Sequence, residues 1–76
     1  MPKLFSSRHI VNVLGRRGFI FVSQKGSHAK YRRHFEKGTF TVIVPIGKKE
    51  IPYGTFRSIL RQSGLSRDEF ERLMNL

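Results

Sequence analysis

Three short segments with strand-type composition, separated by two tight turns, occupy the middle of the sequence. The segments are FIFVSQ (19–24), HAKYRRHF (28–35) and TFTVIVP (39–45). They are rich in aromatic and β-branched residues, and the turns KGS and EKG between them each contain a glycine. Turns this short join antiparallel neighbours, and Gly38 is free to adopt positive φ. The pattern predicts a three-stranded antiparallel meander whose last strand ends at Pro45, which has no amide proton to donate.

A helix is predicted before the first strand, over residues 7–17. Ile10, Val13 and Leu14 follow the spacing of one buried helical face. Ser6 or Ser7 is placed to cap the first free amides, and Gly18 can take the left-handed conformation that ends a helix.

Two helices are predicted after the last strand. Residues 55–64 carry an apolar stripe of Phe56, Ile59 and Leu60 and stop at Gly64. The sequence SRDE at 66–69 matches a capping box, because its serine and glutamate are three residues apart. A short C-terminal helix that buries Phe70 and Leu73 follows.

These elements predict one α+β domain spanning residues 1–76, in the order α-β-β-β-α plus the short C-terminal helix. Packing both longer helices on one face of the three-stranded antiparallel sheet buries their stripes against the Phe, Val and Ile of the strands. The other face of the sheet is left to water or to a ligand.

Charge is the strongest indication of a partner. Fifteen Lys and Arg against five Asp and Glu leave a formal charge of +10, so a polyanion such as RNA is the expected partner. A solubilising surface is the alternative. No apolar run is long enough for a membrane span or a signal peptide, which predicts a cytoplasmic protein with no membrane partner. The chain has no cysteine, which excludes disulfides and thiolate zinc sites, and no metal or cofactor is expected.

Strand alternation separates the second segment into two faces. If Tyr31 and Phe35 point into the core with Ala29, the opposite face carries the residues His28, Lys30, Arg32 and His34. A slip of one residue would bury the charged set, which a core this thin could not tolerate.

His28 is the candidate for chemistry on that basic face. An imidazole titrates near pH ~6.5 and can take a proton from a ribose 2′-hydroxyl. Lys25, Lys30 and Arg32 can hold the phosphate and stabilise developing charge, while Gly26 allows a ligand to approach the backbone closely. The competing interpretation is a polar histidine on a solvated strand, and the residues alone leave both open. His34, farther along the strand, is a candidate second proton donor.

Three blocks of the sequence resemble the HicA family of toxin mRNA interferases. They are KGSH at 25–28, VIVP at 42–45 and YGTFRSILRQSGLS at 53–66. The resemblance implies a fold like that of the double-stranded-RNA-binding domain. It also implies cleavage of mRNA by the histidine of the Gly-Ser-His triplet, His28 here, and a HicB-type antitoxin partner. The predicted RNA-binding residues around it are Lys25, Gly26, Ser27, Lys30 and Arg32.

The sequence departs from the family at one position. Many relatives carry a second histidine shortly after the Val-Pro that ends the third strand, whereas Ile46, Gly47 and Lys48 follow Pro45 here. His34 or a lysine is the expected substitute if that histidine assists catalysis. A non-catalytic RNA-binding module and a pure protein-interaction domain remain as alternatives to a nuclease. We also expect the antitoxin to mask the face that carries His28.

Overall fold

The computed structural model describes residues 3–76, which form three helices and one sheet. The elements are α1 (Ser7–Arg16), β1 (Ile20–Lys25), β2 (His28–Phe35), β3 (Gly38–Pro45), α2 (Tyr53–Ser63) and α3 (Arg67–Met74). The sheet has the order β1-β2-β3 with both pairs antiparallel. The α+β class, the order of elements and the meander are therefore confirmed. None of the helices among these residues is both long and apolar enough to cross a membrane.

Strand register places the apolar residues of β2 and β3 on one face. Ala29 lies opposite Val44, and Tyr31 lies opposite Val42. Ala29 and both valines are buried, and the ring of Tyr31 packs against the edge of the core. The two-fold alternation that the sequence predicts is thus realised: His28, Lys30, Arg32 and His34 lie on the opposite face, whereas Arg33 shares the face of Tyr31 and Phe35.

The helices pack their apolar stripes against this inner face. Three aromatic rings form the centre of the packing: the ring of Phe5 lies 5.1 Å from that of Phe56 and 5.0 Å from that of Phe70, measured between centroids. Such contacts stabilise a core beyond the area that they bury. Phe5 and Ile51 are both buried although they lie outside the predicted elements, because the loops fold back over the helices.

Capping residues set the helix boundaries. The Ser6 hydroxyl accepts a hydrogen bond from the His9 amide at 3.1 Å, so Ser6 is the N-cap of α1. Ser66 and Glu69 form the predicted capping box of α3. α2 begins at Tyr53, two residues before the predicted start, and its N-cap is Pro52, whose backbone is extended and which makes no side-chain capping bond. Gly64 ends α2 with a φ of 73°.

β1 lies outside the cover that the helices provide. All six of its residues are exposed, including Ile20 at 64%, Phe21 at 54% and Val22 at 39%. The expectation that the helices bury the apolar residues of the strands is therefore wrong for Ile20, Phe21 and Val22, although Phe19, the first residue of the predicted strand, is buried. The strand also carries a bulge between Phe21 and Ser23, so Val22 has no residue opposite it on β2.

Candidate functional site

His28 is the first residue of β2 and lies on the open face of the sheet. In the register it is flanked by Lys25 of β1 and Pro45 of β3. Its side chain is exposed rather than packed among the apolar residues of the core. The imidazole is therefore accessible to a ligand, which a base in RNA cleavage requires.

A pocket of about 410 Å³ lies at this position on the open face. It is lined by Ser23, Lys25, His28, Lys30 and Ile43. Its volume falls within the range of ~300–1,000 Å³ that is typical of small-ligand sites. Three of the residues predicted from the sequence, Lys25, His28 and Lys30, are thus brought together in one depression.

The turn between β1 and β2, formed by Gly26 and Ser27, joins Lys25 to His28. Gly26 has a φ of 59°, in the left-handed region that favours glycine. The Gln24 side-chain amide donates to the Gly26 carbonyl at 3.0 Å, and the Ile46 amide donates to the Ser27 carbonyl at 2.8 Å. A Cβ built on Gly26 would meet nothing within 4 Å, which leaves the space above the turn open. Gly26 and Ser27 border the pocket without lining it.

Arg32 lies beside the pocket on the same face. It is half-buried, and its Nε donates to the Thr41 hydroxyl at 3.4 Å. It lies two positions beyond Lys30, which corresponds to about 7 Å along the strand. Arg32 therefore extends the basic surface beyond the pocket and does not contribute to its lining.

The other two histidines do not line this pocket. His34 lies six residues along β2 from His28, about 20 Å away at the rise of a strand, and its Nδ1 is bonded to the Thr39 hydroxyl at 3.0 Å. A single phosphodiester cannot reach both rings, so His34 does not fit as the second proton donor. The Nδ1 of His9 accepts a hydrogen bond from the Ser6 amide at 3.3 Å, and His9 completes a capping box at the start of α1.

The loop that follows β3, residues 46–48, lies next to the turn of His28. Besides the bond from Ile46 to Ser27, Ser7 holds this loop on its other side: the Ser7 amide donates to the Lys48 carbonyl, and the Lys48 amide donates to the Ser7 hydroxyl, both at 3.0 Å. Gly47 has a φ of 75°. The loop thus carries an exposed Lys48.

Two residues of the pocket were missed by the sequence analysis. Ser23 of β1 and Ile43 of β3 both lie opposite Lys30 in the register. Strand alternation could have identified Ile43, because it lies between the core residues Val42 and Val44 and must face the other side of the sheet. The bulge in β1 interrupts the corresponding argument for Ser23.

The first 35 residues of the chain, which include four of the five residues that line the pocket, carry positive charge and no acidic residue. All five acidic residues lie at position 36 or later, and no carboxylate lines the pocket. Among residues 3–76 no three His, Cys, Asp or Glu side chains are grouped as a metal site would need. The arrangement offers one imidazole to accept a proton and two ammonium groups to hold a phosphate.

A second depression, of about 450 Å³, lies where α2 meets α3. Its lining includes Arg57, Arg61, Ser66 and Glu69. The Ser66 amide donates to the Glu69 carboxylate at 3.0 Å, and this hydrogen bond lowers the pKa of Glu69. No histidine lines this depression.

Comparison with known proteins agrees with these features. A family model described as the HicA toxin of bacterial toxin–antitoxin systems matches residues 7–65. The matched range covers α1, the whole sheet and α2, and it includes every residue that lines the pocket of His28. A search of curated proteins gives no significant match.

Proposed function

Because the chain belongs to the HicA family of toxins from bacterial toxin–antitoxin systems, we propose that it is an endoribonuclease that cleaves mRNA with His28 as its general base. The observation that carries the proposal is the pocket in which His28, Lys25 and Lys30 meet on the open face of the sheet. An antitoxin partner follows from the family, and we propose that this partner is HicB-like. The site of action that fits an mRNA substrate is the cytoplasm.

Cleavage requires one proton to leave and one to arrive. The imidazole of His28 takes the proton of a ribose 2′-hydroxyl, and the 2′-oxygen attacks the adjacent phosphorus. The bond from phosphorus to the 5′-oxygen then breaks, which leaves a 2′,3′-cyclic phosphate and a free 5′-hydroxyl. The ammonium groups of Lys25 and Lys30 stabilise the negative charge on the phosphoryl oxygens and are the proton donors for the departing oxygen in this pocket.

The surrounding residues position the RNA. Arg32 extends the row of cations along β2, and the backbone at Gly26 and Ser27 leaves room for the sugar-phosphate chain to pass. Ile43 provides an exposed apolar surface in the lining of the same pocket. These contacts are with backbone and surface and read no base edge, which favours broad rather than strict sequence preference.

A non-catalytic RNA-binding module is the second candidate. It is favoured by the lining of the pocket, which contains one imidazole, that of His28. The second histidine that the family resemblance leads one to expect is not in the lining. Phosphate contacts would then supply the affinity, and binding would weaken steeply with salt while the RNA stayed intact. A pure protein-interaction domain would instead show no affinity for RNA at moderate salt.

The decisive experiment compares the wild type, His28→Ala and the matched control His34→Ala on an end-labelled mRNA in EDTA. We expect the wild type and His34→Ala to cleave at similar rates and to leave a 2′,3′-cyclic phosphate. His28→Ala is expected to be ~10²–10⁴-fold slower. Replacing the ribose at a mapped cleavage position by 2′-deoxyribose should protect that bond, because its nucleophile is removed.

Thermal unfolding of all three proteins shows whether the two variants are folded as stably as the wild type. Equal cleavage by the wild type and a folded His28→Ala would end the assignment of His28 as the base. Retention of RNA binding without any cleavage by the wild type would select the non-catalytic module. Cleavage of the 2′-deoxy position would contradict attack by the 2′-oxygen.

A further inference from the structure

The outer edge of β1 is open and apolar. Within residues 3–76, β1 pairs only with β2, so the backbone groups on its other side have no strand partner. Three consecutive residues of this strand, Ile20, Phe21 and Val22, are large, hydrophobic and exposed. An edge of this composition is a template for pairing with another polypeptide, and proteins usually protect such edges.

The opposite edge of the sheet is protected. The Ile43 amide on β3 donates to the side-chain oxygen of Gln62 at 2.8 Å, and Gln62 itself is held by Ser58 at 2.9 Å. The Pro45 carbonyl accepts from the Ser7 hydroxyl at 2.6 Å, and Pro45 has no amide proton. Helices α1 and α2 thus block pairing along β3, which leaves β1 as the side on which a strand can be added.

Charge around β1 decides which kind of chain fits there. Residues 3–35 contain eight Lys and Arg and no Asp or Glu. Lys25 ends the strand, Arg32 lies opposite Ile20 on β2, and Arg17 precedes the strand by three residues. A second copy of this chain would bring like charges together, whereas an acidic segment would meet opposite ones.

We propose that the edge of β1 binds an extended acidic segment of a partner protein as a fourth strand of the sheet. Backbone hydrogen bonds supply the affinity, and apolar side chains that alternate along the segment cover Phe21 and Val22. Three exposed hydrophobic side chains, two of them aliphatic, and unpaired peptide groups favour a polypeptide over RNA as the occupant. The inference concerns the partner interaction that the toxin–antitoxin family implies, and it does not depend on RNA cleavage.

A strand bound there would also reach the pocket of His28. Adjacent strands lie ~4.8 Å apart, so the added strand would run next to Ser23 and Lys25, which line the pocket from β1. Acidic side chains on its open-face side would lie near Lys25 and compete with phosphate. Docking at β1 therefore provides a physical route by which a partner excludes RNA without contacting His28 itself.

The test uses a short synthetic peptide of alternating glutamate and valine, titrated into the isotope-labelled full chain and followed by NMR. We expect shifts and amide-exchange protection at the backbone of Ile20–Lys25. Val22→Lys should weaken binding at least about tenfold, although the added charge attracts the peptide. Leu76→Lys, which places the same charge at another exposed hydrophobic position, should bind like the wild type.

Two further peptides and one further variant keep the result interpretable. A peptide with lysine in place of glutamate, and one with a central proline, should both fail to bind. Ile20→Lys replaces Val22→Lys if thermal unfolding shows that the latter is destabilised. Equal affinity of the wild type and a folded variant, or shifts confined to Arg57 and Arg61, would overturn the proposal. A dimer in sedimentation that Val22→Lys dissolves would assign the edge to a second copy and would also overturn it.

Discussion

Lys25 and His28 lie directly opposite each other at the end of the β1–β2 ladder, joined by the two-residue turn of Gly26 and Ser27. Directly opposed residues have Cβ atoms ~4.5–5.5 Å apart, so the hairpin itself places an ammonium group beside an imidazole. The tight turn and the ladder define this juxtaposition, and no helix is needed to create it. Four further local features of the structure each lead to a prediction, and each prediction has a control variant chosen from the same chain.

Lys30 is expected to contribute one phosphate contact. In a His28→Ala background, in which RNA cleavage is expected to be slow, Lys30→Gln should weaken RNA binding and reduce the slope of log Kd against log salt by about 0.7. Lys37→Gln, in the turn between β2 and β3, removes the same charge away from the pocket and should change the slope less. Filter binding at several salt concentrations measures both. Identical slopes for the two variants would contradict a phosphate contact at Lys30.

Gly64, the C-cap of α2, should tolerate a side chain less well than the glycines within the helices. A Cβ there would lie 2.8 Å from Cε2 of Phe40, and its φ of 73° disfavours alanine. We expect Gly64→Ala to lower the free energy of unfolding by about 2 kcal/mol. Gly15→Ala in α1, where a Cβ would meet nothing within 4 Å, should raise it by about 0.5–1 kcal/mol. Urea unfolding followed by circular dichroism measures the two changes, and a stable Gly64→Ala would contradict the contact with Phe40.

Ser7 joins the start of α1 to the end of β3. Its buried hydroxyl donates to the Pro45 carbonyl at 2.6 Å and accepts from the Lys48 amide at 3.0 Å. Ser7→Ala leaves both backbone groups without this partner and should cost about 1–3 kcal/mol of unfolding free energy. Because Pro45 lies opposite His28, the cleavage rate should fall as well.

The control for Ser7 is an exposed serine of the β1–β2 turn. Ser27→Ala keeps the backbone carbonyl that accepts from Ile46 and should change the unfolding free energy by less than about 0.5 kcal/mol. Comparison of the two urea transitions checks the prediction. Equal stability of Ser7→Ala and Ser27→Ala would mean that the buried hydroxyl contributes little.

Glu69 should make stability depend on pH in the acid range. The hydrogen bond from the Ser66 amide lowers the pKa of Glu69 in the folded state. A lowered folded-state pKa stabilises the fold above the ordinary carboxyl pKa, and this contribution is lost as the pH falls through the lowered value. Glu69→Gln should therefore flatten the fall in unfolding temperature below pH ~4.5. Glu36→Gln, at an exposed turn, should leave the slope as in the wild type.

Sequence reasoning recovered the parts of the fold that depend on neighbours in the chain. The bounds of β2 and the capping box at Ser66 agree with the structure because alternation and capping operate within a few residues. The exposed position of His28 followed from the same alternation once Tyr31 was assigned to the core. The start of α2 was missed by two residues because Pro52 offers no capping side chain that a pattern could indicate.

Long-range packing produced the differences. The composition of β1 is typical of a buried strand, so the exposure of Phe21 could not be predicted from it. That exposure depends on how far the helices extend across the sheet. The separation of His34 from His28 is a simple consequence of strand rise, yet it matters only once the pocket is located at the β1–β2 turn.

The sequence by itself determined the order of helices and strands, the two faces of β2 and the strongly basic character of the first half of the chain. These properties follow from local periodicity, turn chemistry and charge, which each residue carries with it. The tertiary structure alone decided that Ser23 and Ile43 join His28 in one pocket and that β1, rather than β3, keeps an open edge. Those features depend on strand register, on a bulge and on which edge the helices cover, and each of these is settled by contacts between residues far apart in the chain.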